Sequence, residues 1–69
     1  MNKIKLERVR INLTQQELAE ALGVNAKTVA NWEKEIGPCS VASLMAMSNI
    51  FKCSADYLTG RTEVREINT

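Results

Sequence analysis

Apolar residues recur at helical spacing in short blocks along the chain, and the blocks are separated by residues typical of helix ends. The first block contains Ile4, Leu6, Val9, Ile11 and Leu13. Its spacing is helical but imperfect, and Asn12 is expected to end it. This block predicts helix 1.

Helix 2 has a clear start and a clear end in the sequence. Thr14-Gln15-Gln16-Glu17 is a capping box, in which the side chains of Thr14 and Glu17 each satisfy the other residue's backbone amide. Leu18, Ala19 and Leu22 then share one face. Gly23 can adopt the left-handed conformation that closes a helix, so helix 2 is predicted to stop at about Leu22.

Helix 3 is predicted to follow after a very short turn. Val24 is apolar, Asn25 is a good N-cap, and Ala26 to Glu33 place Val29 and Trp32 three residues apart on an inward face. The segment is about two turns long.

Two further helices complete the pattern. Gly37-Pro38 forms a loop, Ser40 caps a helix from Val41 to Phe51, and Ser54 caps a short helix from Ala55 to Thr59. Gly60 suits the residue after that helix. The result is an all-α domain of five helices over residues 1–60, with helices 2 and 3 forming a helix-turn-helix. Residues 61–69 are a polar tail that is either frayed or ordered by a partner.

Composition narrows the possible functions. The 69 residues allow one small domain, and their apolar and charged fractions are those of globular proteins. There is no histidine, and Cys39 and Cys53 lack the spacing of a metal or redox motif, so we expect free thiols, no cofactor and no enzyme activity. No apolar run is long enough for a bilayer or a signal peptide, which favours a cytoplasmic location without membrane contact.

Charge alone does not indicate a partner. The net charge is +1, well below that of a strongly basic nucleic-acid binder. Residues 1–34 carry six Lys or Arg against four Glu, whereas residues 35–69 carry three against four acidic residues. The N-terminal half is therefore mildly positive.

The steric requirements of a tight helix-turn-helix are met between Gln15 and Glu33. Ala19 is small where two helices cross, Gly23 turns the chain, and Val24 fills the corner. This arrangement leaves one face of helix 3 exposed and rigid enough to enter a major groove. The residues expected on that face are Asn25, Ala26, Lys27, Thr28, Asn31 and Ala30.

From Leu13-Thr14-Gln15 through Leu22-Gly23-Val24 to Trp32-Glu33, the chain resembles the Cro/cI-type (XRE) helix-turn-helix family. Ser54-Ala55-Asp56-Tyr57-Leu58-Thr59-Gly60 resembles the fifth helix of that family, so the resemblance covers about residues 4–60 and implies a lambda-repressor-like domain. Lys52 stands where the family commonly has glycine, and the loop at Gly37-Pro38-Cys39 is shifted by a residue.

The resemblance implies DNA contacts by Gln15, Asn25, Ala26, Lys27, Thr28 and Asn31. Their chemistry agrees: Lys27 can donate to guanine, Asn31 can pair with adenine or hold a phosphate, and the methyl groups of Ala26 and Thr28 can contact thymine. Gln15 at the start of helix 2 suits a phosphate. The resemblance also implies a buried ion pair between Arg8 and Glu33.

Each of these interpretations has a simpler alternative. Lys27, Thr28 and Asn31 could form an ordinary solvated face, and Arg8 and Glu33 could be unrelated surface charges. Trp32 could stack on bases, although its place in the pattern favours the core. Met45 and Met47 are expected to fill gaps in the core or at its boundary.

The predicted function is sequence-specific binding of double-stranded DNA by a transcriptional regulator, specifically a repressor from a phage, mobile element or chromosomal operon. The alternative is a protein-interaction module, such as an antitoxin-like partner or an antirepressor. A homodimer on a palindromic operator is expected, with Leu58, Val64 and Ile67 as candidate interface residues. No small-molecule ligand is expected.

Overall fold

The computed structural model describes residues 2–65, which fold into helices connected by short loops. The helices are α1 (Lys3–Arg10), α2 (Gln15–Leu22), α3 (Ala26–Glu33), α4 (Val41–Phe51) and α5 (Ala55–Leu58). Each begins at a residue whose side chain accepts a hydrogen bond from the backbone amide three positions later: Asn2, Thr14, Asn25, Ser40 and Ser54. The predicted all-α, five-helix fold is confirmed, and the capping box at Thr14 is present.

The core lies where α2, α3, α4 and α5 meet. Its fully buried side chains include Leu18, Val29, Met47, Phe51 and Cys53. Burial of apolar side chains contributes roughly 1.5 to 3 kcal/mol each. This cluster is what holds the short helices together, because helices of this length are marginal in isolation.

The turn between α2 and α3 is tight, as predicted. Gly23 adopts φ 73° and ψ 28°, and the Val24 amide donates to the Ala19 carbonyl at 3.0 Å. Ala19 is fully buried. Of all helix pairs in residues 2–65, α2 and α3 make the most extensive contact. The orientation of α3 is therefore set by packing on α2.

Helix α1 differs most from the prediction. It ends at Arg10, and Leu6, Val9 and Ile11 are 39%, 55% and 39% exposed. Its inward face instead carries Ile4 and Glu7, the latter only 2% exposed. The apolar residues of α1 are thus poor markers of its buried face.

The buried carboxylate of Glu7 is paired with a residue of the predicted tail. Arg65 donates from Nη2 to Glu7 Oε1 at 2.8 Å, and its Nε lies 3.2 and 3.1 Å from the two carboxylate oxygens. Arg65 Nη2 also donates to the Phe51 carbonyl at 2.8 Å. The Ser54 amide donates to the Arg65 carbonyl at 2.8 Å. Arg65 therefore packs on the domain.

Two further expectations are wrong in detail. Leu58 is only 6% exposed and belongs to the core, so it has little surface to offer a dimer interface. Met45 is exposed on α4, whereas Met47 is buried. Val64 is exposed, and Ile67 lies outside the described residues. Within residues 2–65, the helices all fall short of the length and apolar character needed to cross a membrane.

Candidate functional site

The exposed side of α3 begins with a cap in which two of the predicted site residues hold each other. Asn25 Oδ1 accepts from the Thr28 amide at 2.9 Å and from the Thr28 hydroxyl at 2.9 Å. Both side chains therefore have restricted rotamers. The side-chain nitrogen of Asn25 takes no part in this cap.

The exposure of this face is less uniform than the sequence predicts. Asn25 and Lys27 are exposed, but Ala26, Thr28 and Asn31 are half-buried. Lys27 makes no hydrogen bond or ion pair with any residue in the part of the chain that the structure describes. Lys27 is consequently an exposed cation in the first turn of α3.

Behind this face, the structure brings Arg8 and Glu33 together as an ion pair. Arg8 Nε donates to Glu33 Oε2 at 2.7 Å, and Arg8 Nη2 donates to Glu33 Oε1 at 3.1 Å. The Arg8 and Glu33 side chains are 11% and 4% exposed. The hydrogen bond to Glu33 raises the pKa of Arg8 above its usual value and outweighs the opposing effect of burial. This bidentate pair joins α1 to the last residue of α3.

The same carboxylate also holds Gln15. Gln15 Nε2 donates to Glu33 Oε1 at 3.1 Å, and Arg8 Nη1 donates to the Leu13 carbonyl at 2.7 Å. Gln15 is half-buried at the start of α2. An amide group has two N–H donors, so one remains available after the bond to Glu33.

An open cleft of about 660 Å³ lies beside Gln15. The ends of α1, α2 and α3 line it, with Val9, Asn12, Thr14, Gln16 and Ala26 among the lining residues. The first backbone amides of α2 lie at its edge, where a helix end favours negative charge. The cleft thus lies between Gln15 and the first residue of α3.

Trp32 belongs to the core and does not form a stacking platform. It is 7% exposed, and its indole nitrogen donates to the Pro38 carbonyl at 3.3 Å. The ion pair between Glu7 and Arg65 is not predictable from local sequence patterns, because the two residues lie 58 positions apart. The pair becomes visible only in the three-dimensional structure, where the buried Glu7 lies beside Arg65.

Comparisons with known proteins agree with this geometry. A helix-turn-helix family model, HTH_3, matches residues 4–58. The chain is 32% identical over 66 residues to the HTH-type transcriptional regulator ImmR of Bacillus subtilis (strain 168), which covers 96% of this chain and 52% of ImmR. The chain therefore spans about half the length of that relative.

A solved structure shares the fold. It is the P22 c2 repressor protein in complex with synthetic operator 9T in the presence of Tl+, with a TM-score of 0.77 and 28% sequence identity. The alignment covers 83% of this chain and 86% of the repressor chain. The named relatives are a transcriptional regulator and a repressor, and the family is not one of enzymes. With the family model matching most of its length, this chain belongs to the Cro/cI-type (XRE) helix-turn-helix family.

Proposed function

We propose that this protein binds double-stranded DNA as a transcriptional repressor, with α3 inserted in the major groove. The observation that carries the proposal is the exposed Lys27 on an eight-residue helix that α2 and the core hold rigidly. An α-helix with its side chains is about 10 to 12 Å in diameter, which fits a major groove of about 12 Å width. The operator-bound P22 c2 repressor supports the proposal, because its fold is the same.

Within this complex, Lys27 and Asn31 act on base edges. The Lys27 ammonium donates to O6 and N7 of guanine, and Asn31 pairs with N6 and N7 of adenine or holds a phosphate. The methyl groups of Ala26 and Thr28 contact thymine methyl groups. The cap between Asn25 and Thr28 supports this role, because it limits the conformations of the side chains that face the groove.

Gln15 and Asn25 act on the DNA backbone. Gln15 offers its second amide N–H to a phosphate beside the N-terminus of α2, where the helix dipole also favours an anion. Asn25 uses its side-chain oxygen within the cap, so its amide nitrogen is the group directed to a phosphate. These contacts orient the protein without reading sequence.

We also propose that the protein binds a palindromic operator as a homodimer. A single small domain contacts too few base pairs for strong discrimination, whereas two domains on half-sites about 34 Å apart combine their free energies. Val64 is the described interface candidate because it is exposed. Leu58 is not an interface candidate, because it is buried in the core.

Selection of bound duplexes from a random pool tests the proposal. We expect a palindromic consensus, two protomers per duplex by sedimentation, and an affinity that falls steeply with salt concentration. Failure to enrich any sequence, with no salt-dependent binding to duplex DNA, would contradict the proposal and favour a protein-interaction module.

A further inference from the structure

We propose that Arg8 and Glu33 are positioning residues for the phosphate contact of Gln15, in addition to joining α1 to α3. The inference rests on the proposed function and deepens it. It assigns the buried ion pair a direct part in DNA affinity, through the side chain that it holds. The partner recognised at this point is the sugar-phosphate backbone of the duplex.

A chain of hydrogen bonds leads from Arg8 through Glu33 to Gln15. Arg8 Nη1 is anchored on the Leu13 carbonyl at 2.7 Å, and its Nε and Nη2 hold both oxygens of Glu33. Glu33 Oε1, held in this way, accepts from Gln15 Nε2 at 3.1 Å. Each link is charge-assisted, and such hydrogen bonds are stronger than neutral ones; the bidentate pair of Arg8 and Glu33 also fixes the geometry. The Gln15 amide is therefore fixed from within the protein.

The consequence for DNA binding follows from the second amide N–H. Once one N–H is bound to Glu33, the orientation of the other is determined, and the open cleft leaves room for a phosphate at Gln15. Without Glu33, the side chain would have to be immobilised when DNA binds. Immobilising one flexible side chain lowers affinity by roughly two- to tenfold.

Arg8 provides the sharper test because it makes no hydrogen bond with Gln15. Its guanidinium bonds only to Glu33 and Leu13 among residues 2–65, and its side chain is 11% exposed. Arg8 also lines the cleft, and Arg8→Lys keeps its positive charge, so coupling between Arg8→Lys and Gln15 in DNA binding reports the hydrogen bonds through Glu33. A purely structural role for Arg8 would change protein stability without such coupling.

The experiment is a double-mutant cycle on the selected duplex, using the full chain below its melting transition. The variants are Arg8→Lys, Gln15→Ala and their combination, with Arg10→Lys as the matched control on α1. Lysine keeps the charge at position 8 but loses the planar fork that holds both oxygens of Glu33. We expect Arg8→Lys to weaken binding roughly three- to tenfold when Gln15 is present. In the Gln15→Ala background we expect less than about a twofold effect.

The side-chain amide resonances of Gln15 give a second readout that needs no DNA. We expect the two amide protons of Gln15 to have the chemical shifts of a hydrogen-bonded side chain in the wild type and to move toward those of a free glutamine in Arg8→Lys, with no change in Arg10→Lys. Equal losses of affinity from Arg8→Lys in both backgrounds, or unchanged Gln15 resonances, would overturn the inference alone. No duplex binding by the wild type would overturn the proposed function as well.

If Arg8→Lys does not fold, Glu33→Gln replaces it in the cycle. Glutamine keeps the size of the side chain but removes the charge that attracts both Arg8 and Gln15. We expect Glu33→Gln to weaken DNA binding as Arg8→Lys does when Gln15 is present, and to weaken it little in the Gln15→Ala background. Additive losses would again reject the positioning role.

Discussion

Arg65→Ala removes the main partner of the buried Glu7 carboxylate. In the folded protein, Arg65 supplies contacts of 2.8, 3.1 and 3.2 Å to the Glu7 oxygens. The partners that remain are the Tyr57 hydroxyl at 3.3 Å and Arg10 at 3.4 Å, and Arg10 is itself largely exposed. Glu7 would keep its burial but lose its best hydrogen bonds.

The expected cost is about 2 kcal/mol in the free energy of unfolding at neutral pH. Removing one partner of a fully buried ion pair costs about 3 to 5 kcal/mol. The Arg65 side chain is 31% exposed, so water can partly replace it and the cost is lower. In a domain of this size, about 2 kcal/mol lowers the melting temperature by roughly 10 °C.

Thermal and urea unfolding of Arg65→Ala measure this cost, with Arg61→Ala as the control. Arg61 is an exposed arginine in the same segment, and its side chain makes no ion pair with residues 2–65. The control should change stability by less than about 0.5 kcal/mol. Equal stabilities for the two variants would refute the claim that Arg65 is an integral part of the fold.

The pH dependence gives an independent check of the same pair. The hydrogen bond to Arg65 holds the pKa of Glu7 below its ordinary value despite burial. The wild-type pair thus stabilises the fold above the unfolded-state pKa, about 4.3, and this stabilisation is lost as pH falls through the lower folded-state pKa. In Arg65→Ala, Glu7 stays buried without its main partner, which raises its pKa relative to the wild type. The stability difference between the two proteins should therefore narrow as pH falls from about 5 to 3.

Two further predictions concern stability. Glu33→Ala should cost about 3 kcal/mol, because it leaves the Arg8 guanidinium buried without its carboxylate, whereas a loss below about 0.5 kcal/mol in thermal melts would indicate an exposed, independent pair. Lys52→Gly should stabilise the protein by about 0.5 to 1 kcal/mol in urea unfolding, because Lys52 caps α4 with φ 57° and ψ 45°, a left-handed conformation that costs a side-chain-bearing residue energy. Destabilisation by that glycine would show that the Lys52 side chain contributes more than its backbone strain costs.

Local signals in the sequence were sufficient for most of the helix boundaries. The sequence correctly predicts four N-caps: Thr14, Asn25, Ser40 and Ser54. A short polar side chain directly before an apolar helical block has few other roles. Gly23 was assigned to the left-handed turn for an equally local reason. These signals depend on neighbours within four residues.

The buried face of α1 could not be predicted because it depends on distant residues. Glu7 is buried only because Arg65 and Tyr57 reach it from the other end of the chain. A periodicity argument assigns a glutamate to solvent and the apolar Leu6 and Val9 to the core, which is the reverse of their positions here. The hydrogen bond from Gln15 to Glu33 is not predicted either, because the family resemblance implies only a phosphate contact for Gln15.

Paired titrations of Lys27→Ala test the central claim, that α3 reads bases, most directly. Binding to the selected palindrome and to a scrambled duplex is measured at one salt concentration, with Lys34→Ala as the control because Lys34 is an exposed lysine at the opposite end of α3. We expect Lys27→Ala to lose about 1 to 3 kcal/mol on the palindrome, to relax preference at one base pair, and to change scrambled-duplex affinity much less. Equal losses on the two duplexes, with base preference intact, would show that Lys27 contacts only the backbone and would contradict the placement of α3 in the groove.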